Sequence, residues 1–297
     1  MDCISEKDLP RSYQSADNAS LRAQKKYLVL FRGLLAATCL SALAGWGSSD
    51  LESGKLLLSC CATALMVVAL ALTYVLQERS YEQVWYLGRA VAESIKTRSW
   101  CYMTCSAPYT RDLPDPEARK LFLEDVHRIL LERGQVTFSS SDALSATEIT
   151  PAMESLRGSP LEQRLAVYVQ CRIVDQKNWY QAKSATSGKA EERAFLAMQI
   201  CQILAILLGI FFIYRNQTTG GVVGVLAALS SSLLAWLQVR KYQETAQAYS
   251  IASQELGSAA ELSGSVVSEA QLSNFVLDSE SAISREHTLW AARRTMR

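Results

Sequence analysis

Histidine is nearly missing from the chain: His127 and His287 are the two present, and neither stands near a serine or cysteine motif. A nucleophile–base pair therefore has little to be built from. Glycine-rich phosphate loops and zinc-ligand spacings are absent as well. Cys101 and Cys105 have the i, i+4 spacing of two metal ligands, but no second pair or nearby histidine completes a tetrahedral set. No catalytic residue, metal or cofactor is expected, and an enzyme is the least supported class. An excess of either charge is lacking too, with 30 Lys and Arg against 29 Asp and Glu. Nothing in that balance argues for a nucleic-acid partner or an acidic substrate.

What the chain has instead is four apolar runs, "YLVLFRGLLAATCLSALAGW" from Tyr27, "LLLSCCATALMVVALALTYVL" from Leu56, "AFLAMQICQILAILLGIFFIY" from Ala194 and "VVGVLAALSSSLLAWL" from Val222. Each approaches the roughly 20 residues that an α-helix needs to cross a bilayer. The expected fold is all-α and membrane-integral: four transmembrane helices as two hairpins, with long cytosolic helical extensions. The N-terminal "MDCISEKDLPRSYQSADNAS" has neither the basic region nor the early apolar core of a cleaved leader, so the first span is expected to direct insertion.

Lys and Arg set the expected orientation. The inter-span loops "GSSDLESGK" and "RNQTTGG" carry only Lys55 and Arg215, whereas Lys25, Lys26, Arg79, Arg89, Arg193, Arg240 and Lys241 flank the other ends. Positive flanks stay inside, which puts the N- and C-termini in the cytoplasm and the spans in a bacterial inner membrane. On that reducing side no disulfide framework is implied for the eight cysteines.

The chain divides into a cytosolic N-terminal segment (1–26), a first hairpin with its cytosolic helix (27–109), a cytosolic helix with a Ser-rich linker (110–158) and a second unit (159–297). Glu82, Ala90 and Glu93 overlie Glu244, Ala252 and Glu255 at an offset of 162 residues, a weak same-orientation repeat. In the insert, Asp115 can cap a helix whose Phe122, Val126 and Ile129 share a face and which Gly134 ends. Ser159 and Glu162 have capping-box spacing with Pro160 between them, and "TSGKAEE" separates that helix from the third span. In the tail, Val276, Glu280, Ile283, His287, Trp290 and Arg294 recur at helical steps of four and three.

Small side chains mark the fourth span. Gly220, Gly224, Ala228 and Ser232 are four apart, and Ser230 and Ser231 add hydroxyls, which suits close helix packing or a pore lining. Beyond that span the sequence turns polar at Gln238 with no proline or glycine, so one unbroken helix is expected to act as a lever on the ridge. Within the apolar runs only Arg32 is charged, and a missing mid-membrane carboxylate weakens a proton-coupled exporter. After the second span, Trp85, Arg89, Glu93, Lys96 and Trp100 share a helix face that suits an interhelical contact or a switch surface.

The stretches "GRAVAESIKTRSWCYMTCSAPY", "RIVDQKNWYQAKSA" and "FVLDSESAISREHTLWAARR" resemble the SLATT family, two-transmembrane effector domains associated with bacterial nucleotide-synthesising and nucleotide-sensing conflict systems, here in tandem. The resemblance implies a membrane effector that oligomerises and forms or gates a depolarising pore in an anti-phage, abortive-infection response. Its partners would be the bilayer, copies of itself, and a nucleotide signal or a cytosolic protein that releases it. It also implies cytosolic switch or interface roles for Arg89, Glu93, Lys96 and Trp100 in the first unit. In the second unit it implies them for Asp175, Gln176, Trp179, Tyr180, Lys183, Glu280, Glu286, His287 and Trp290. A non-conducting scaffold recruiting a cytosolic partner stays open as an alternative, as does an exporter.

Overall fold

The structure, a computed structural model, describes residues 3–50, 54–133, 148–216 and 220–295, with the backbone alone at 50, 220 and 285–295. Among these residues every regular element is helical. Helix α1 (Arg11–Asp50) and α2 (Lys55–Glu78) form the first hairpin, and α3 (Tyr81–Met103) follows it. The middle of the chain gives α4 (Asp115–Arg133), α5 (Pro151–Arg157) and α6 (Leu161–Tyr168). A π turn over Val169–Val174 leads into the 40-residue α7 (Asp175–Tyr214). The second hairpin closes with α8 (Gly220–Arg240), and α9 (Tyr242–Leu262) and α10 (Glu269–Thr295) end the chain.

Among the described residues, four helices are long and apolar enough to cross a membrane. Most of their large apolar side chains are exposed, such as Leu56, Ile206 and Phe211, which is the pattern of helices whose solvent is lipid.

The chain forms two compact units. One comprises residues 1–24, 82–184 and 247–297; the other comprises 25–81 and 185–246 and holds the apolar runs. The first has a conventional buried core, in which Val91, Ile95, Phe122, Met153, Tyr168 and Val276 are all fully enclosed. Phe122 and Val126 of α4 enter that core on the expected face.

Several local expectations are corrected. The fourth span does not continue unbroken into water: Lys241 has a φ of 47° and separates α8 from α9. Ser80, with a φ of 45°, does the same between α2 and α3. A left-handed residue that is not glycine costs about 1–2 kcal/mol, so its use at both places is a built feature of the fold. The breaks lie 161 residues apart, and at that offset Gln77, Arg79 and Tyr81 match Gln238, Arg240 and Tyr242, a register one residue from the expected repeat. Beside each break a cation stands over a ring, Lys26 over Tyr81 at 5.7 Å and Arg240 over Tyr242 at 5.1 Å.

Conversely, "TSGKAEE" does not interrupt anything, since α7 runs through it from Asp175 into the third apolar run. The Ser159 capping box does not form: its hydroxyl donates to the Ser155 carbonyl, and Pro160 occupies the N-cap of α6. Asp115 is the first residue of α4 instead of its cap, and its carboxylate accepts from Arg157 Nε at 3.1 Å. Part of the Ser-rich segment, with Gly134, lies outside the described residues. Its end is ordered as α5, capped by the Thr150 side chain, which accepts from the Met153 amide at 3.3 Å.

Candidate functional site

Three buried arginines organise the first unit: Arg157, Arg164 and Arg172 are 3%, 1% and 2% exposed. They were not picked out from the sequence: Arg157 ends α5, and only the eight-residue step from Arg164 to Arg172 runs along continuous helix. Eight residues of α-helix at about 100° each would leave Arg172 about 80° past Arg164, and the slower winding of the π turn brings it back toward one side. Arg157 donates through Nη1 to the carbonyls of Tyr102 at 3.0 Å and Tyr109 at 2.9 Å. Arg164 donates to the Thr104 carbonyl at 2.6 Å and pairs with Glu269 at the start of α10.

Arg172 makes the deepest pair. Its Nε and Nη2 each donate at 2.8 Å to the two carboxylate oxygens of Glu280, which is itself 2% exposed. The same carboxylate accepts from Tyr168 at 3.1 Å and from Thr97 at 2.7 Å. Four donor atoms, one from α3, one from α6 and two from the π turn, thus satisfy one buried anion on α10. Burial alone would lower the Arg172 pKa, and the adjoining Glu280 carboxylate more than offsets that and raises it. Burial, reinforced by Glu280, raises the Tyr168 phenol well above its ordinary value. Cys101 is likewise pushed up to about 12, first by burial and then by Glu280. A thiol held neutral in this way is a poor nucleophile.

The stripe on α3 packs against the N-terminal part of α1. Trp85 is buried, and its carbonyl accepts from Ser20 at 2.9 Å. Arg89 reaches Glu93 at 3.0 Å and Asp17 at 4.0 Å, and Lys96 reaches Glu6 at 3.1 Å. Trp100 is 2% exposed and stands edge-on to Tyr168, 5.5 Å between ring centroids.

On α7, Trp179 and Tyr180 contact Tyr249 of α9 at 5.3 and 5.2 Å, and Lys183 stands 5.8 Å over the Trp179 ring. Asp175 and Gln176 line a cavity of about 390 Å³ together with Lys96, Trp100 and Arg172. The stripe, the π turn and the tail seam therefore meet around one core. Glu286, His287 and Trp290 lie on α10 at positions whose side chains are outside the described residues.

In the apolar unit the expected ridge splits between two faces of α8. Gly221, Val225, Ala228 and Ser232 turn toward α1: a Cβ on Gly221 would stand 2.7 Å from that of Trp46, and the Cys39 thiol donates to Ser232 Oγ at 3.2 Å. Gly224, Ala227 and Ser231 are exposed, and a Cβ on Gly224 would meet nothing within 4 Å. Ser230 is buried, and Gly220 opens the helix. Arg32 lies 4.9 Å from the Trp236 ring centroid.

Cys101 and Cys105 are both buried, and among the described residues no group of three or more His, Cys, Asp or Glu side chains is placed to hold a metal. Cys3 and Cys171 are joined in a disulfide with 5.6 Å between their Cα atoms, a correction to the expectation from compartment. Sequence separation hid it, because the two stand 168 positions apart.

Paired membrane-capable helices joined to a helical unit with its own ionic core define an all-α membrane protein built from hairpin modules. The chain belongs to the SLATT family: the model for SMODS and SLOG-associating 2TM effector domain 3 matches residues 10–165, and that for effector domain 1 of the same series matches residues 168–290. It is a tandem SLATT protein, a membrane effector with two two-transmembrane domains. No curated protein and no solved structure matches it.

Proposed function

We propose that this effector self-associates and forms or gates a pore that depolarises the bacterial inner membrane in an anti-phage response. The observation that carries this reading is Gly224. It lies in the second turn of an apolar helix, on an exposed face with Ala227 and Ser231, and among the described residues nothing stands within 4 Å of where its Cβ would be. Many exposed positions in the apolar run of α7 carry large Ile, Leu and Phe side chains, which suit lipid tails. Small residues in lipid instead allow a second helix to approach closely. A second copy of α8 fits that face, and hydroxyls such as Ser231 would then stand where a water-filled path needs polar lining.

The Lys and Arg flanks support cytoplasmic termini. The ionic core of the first unit would be the part that receives a releasing signal, a nucleotide or a cytosolic protein. Because Lys241 breaks the helix after the fourth span, α7 takes over the role of lever: it is continuous from Asp175 to Tyr214, from polar residues into the third apolar run. Purified protein in planar bilayers should give discrete conductance steps that Gly224→Leu removes. Absence of conductance with self-association retained would favour a scaffold.

A further inference from the structure

We propose that Cys3 and Cys171 form a reversible thiol–disulfide exchange site that fastens the N-terminal segment, residues 3–6, to the π turn carrying Arg172. This goes beyond the pore reading and holds whether or not the spans conduct.

The two cysteines differ in kind from the other six. Cys101 and Cys105 are buried, and Cys39, Cys60, Cys61 and Cys201 lie in the apolar runs. Cys3 is exposed and Cys171 partly so, and both form part of the wall of the 390 Å³ cavity that Arg172 and Trp100 also line. Of the two, Cys3 is therefore the one on the side open to a water-soluble thiol. The segment it anchors has few other attachments. Ile4 packs partly against the core, Ser5 donates to the Asp8 carboxylate through its amide at 2.9 Å and its hydroxyl at 2.6 Å, and Glu6, 66% exposed at its side chain, pairs with Lys96 and contacts Tyr13. From Asp8 onward the hold is stronger, with the Asp8 carbonyl accepting from Thr150 at 2.6 Å and Leu9 buried. Breaking the disulfide thus releases a short strap while leaving the fold of the unit to its own core.

The exchange balances with a monothiol such as glutathione. Its thiolate attacks Cys3 Sγ, the bond between the two protein sulfurs breaks, and Cys171 leaves as a thiolate that takes up a proton. A second thiolate attacks the mixed disulfide on its glutathione sulfur, giving glutathione disulfide and free Cys3. Two electrons pass from two thiols to the protein. In the reverse direction the exposed Cys3 thiolate attacks glutathione disulfide, and Cys171 resolves the mixed disulfide. The consequence lies at the cavity: the disulfide closes one wall of it next to the Arg172–Glu280 pair, and reduction opens that wall.

The test uses the full chain in native membranes, equilibrated with glutathione or glutathione disulfide, then denatured and tagged with a heavy maleimide. Of the eight cysteines, six should be tagged in the oxidised protein and all eight after glutathione, reversibly. Cys3→Ser should show seven tags under both conditions, whereas Cys171→Ser should show seven after glutathione and six after glutathione disulfide, because Cys3 then keeps its unresolved mixed disulfide. Hydrogen exchange over residues 3–6 should be about tenfold faster in the reduced wild type and in Cys3→Ser, with α10 unchanged. Eight tags under glutathione disulfide would overturn the site. Six tags persisting after native glutathione treatment would make it a permanent crosslink, and equal exchange in the two forms would show that the disulfide does not fasten the strap. None of these readouts involves conductance, so their failure is separate from failure of the pore reading.

Discussion

Arg172 and Glu280 face each other inside the first unit, joined by two contacts of 2.8 Å although 108 residues separate them in sequence. Each is 2% exposed, so neither charge has bulk water to fall back on. Glu280→Leu should leave Arg172 uncompensated and lower stability by about 3–5 kcal/mol, the range for breaking a buried pair from one side. Arg172→Met combined with Glu280→Leu should recover most of that loss. Denaturant unfolding of the detergent-solubilised protein checks both; equal stability of the single and double variants would show that the pair is not coupled.

Alkaline pH should destabilise the same core. The Cys101 thiol is raised from 9.0 to about 12 in the folded protein, mainly by burial. Between those values the unfolded chain has lost the proton that the folded chain keeps, so stability falls as pH rises through that window. The sign is that of an acid with a raised pKa, whose full contribution is present below 9.0. Cys101→Ala should make the fall in melting temperature over this range shallower, and an unchanged slope would assign it to other groups.

Glycines on opposite faces of α8 should respond differently. Gly221→Leu places a side chain against Trp46, where a Cβ already comes within 2.7 Å, and should cost about 1–3 kcal/mol or prevent folding of the hairpin. A Cβ on Gly224 meets none of the described residues within 4 Å, so Gly224→Leu should leave stability unchanged. Melting curves of the two variants separate the faces, and destabilisation by Gly224→Leu alone would reverse their assignment.

The breaks after the second and fourth spans make a backbone prediction. Ser80 and Lys241 have positive φ, so Ser80→Gly should stabilise by up to about 1 kcal/mol, whereas the β-branched Ser80→Val should destabilise by more. Equal effects in thermal unfolding would argue against the left-handed turn. If α7 is the lever proposed above, Pro-Gly inserted after Gly188 should abolish depolarisation, and Pro-Gly after Tyr242, next to a turn that already exists, should reduce it less.

The sequence made the spans legible because lipid demands long apolar runs, and the tail seam legible because Val276, Glu280 and Ile283 keep helical spacing into a core. The α3 stripe was legible for the same reason. What could not be read were relationships without a local pattern. Cys3 meets Cys171 and Thr97 meets Glu280 across most of the chain. The turns at Ser80 and Lys241 carry neither glycine nor proline, the residues that ordinarily mark such points. The ridge on α8 showed its spacing, but a four-residue step drifts around a helix, so only the packing of Gly221 on Trp46 told the inner face from the outer one.

Membrane potential, followed by dye fluorescence in bacteria expressing the wild type, Gly224→Leu or an empty vector, tests the pore directly once membrane insertion of both proteins is confirmed. The proposed pore predicts depolarisation by the wild type, with Gly224→Leu holding the potential of the empty vector. Equal potentials in all three, with both proteins inserted and with the neighbouring genes and a phage challenge supplied to provide the releasing signal, would contradict it.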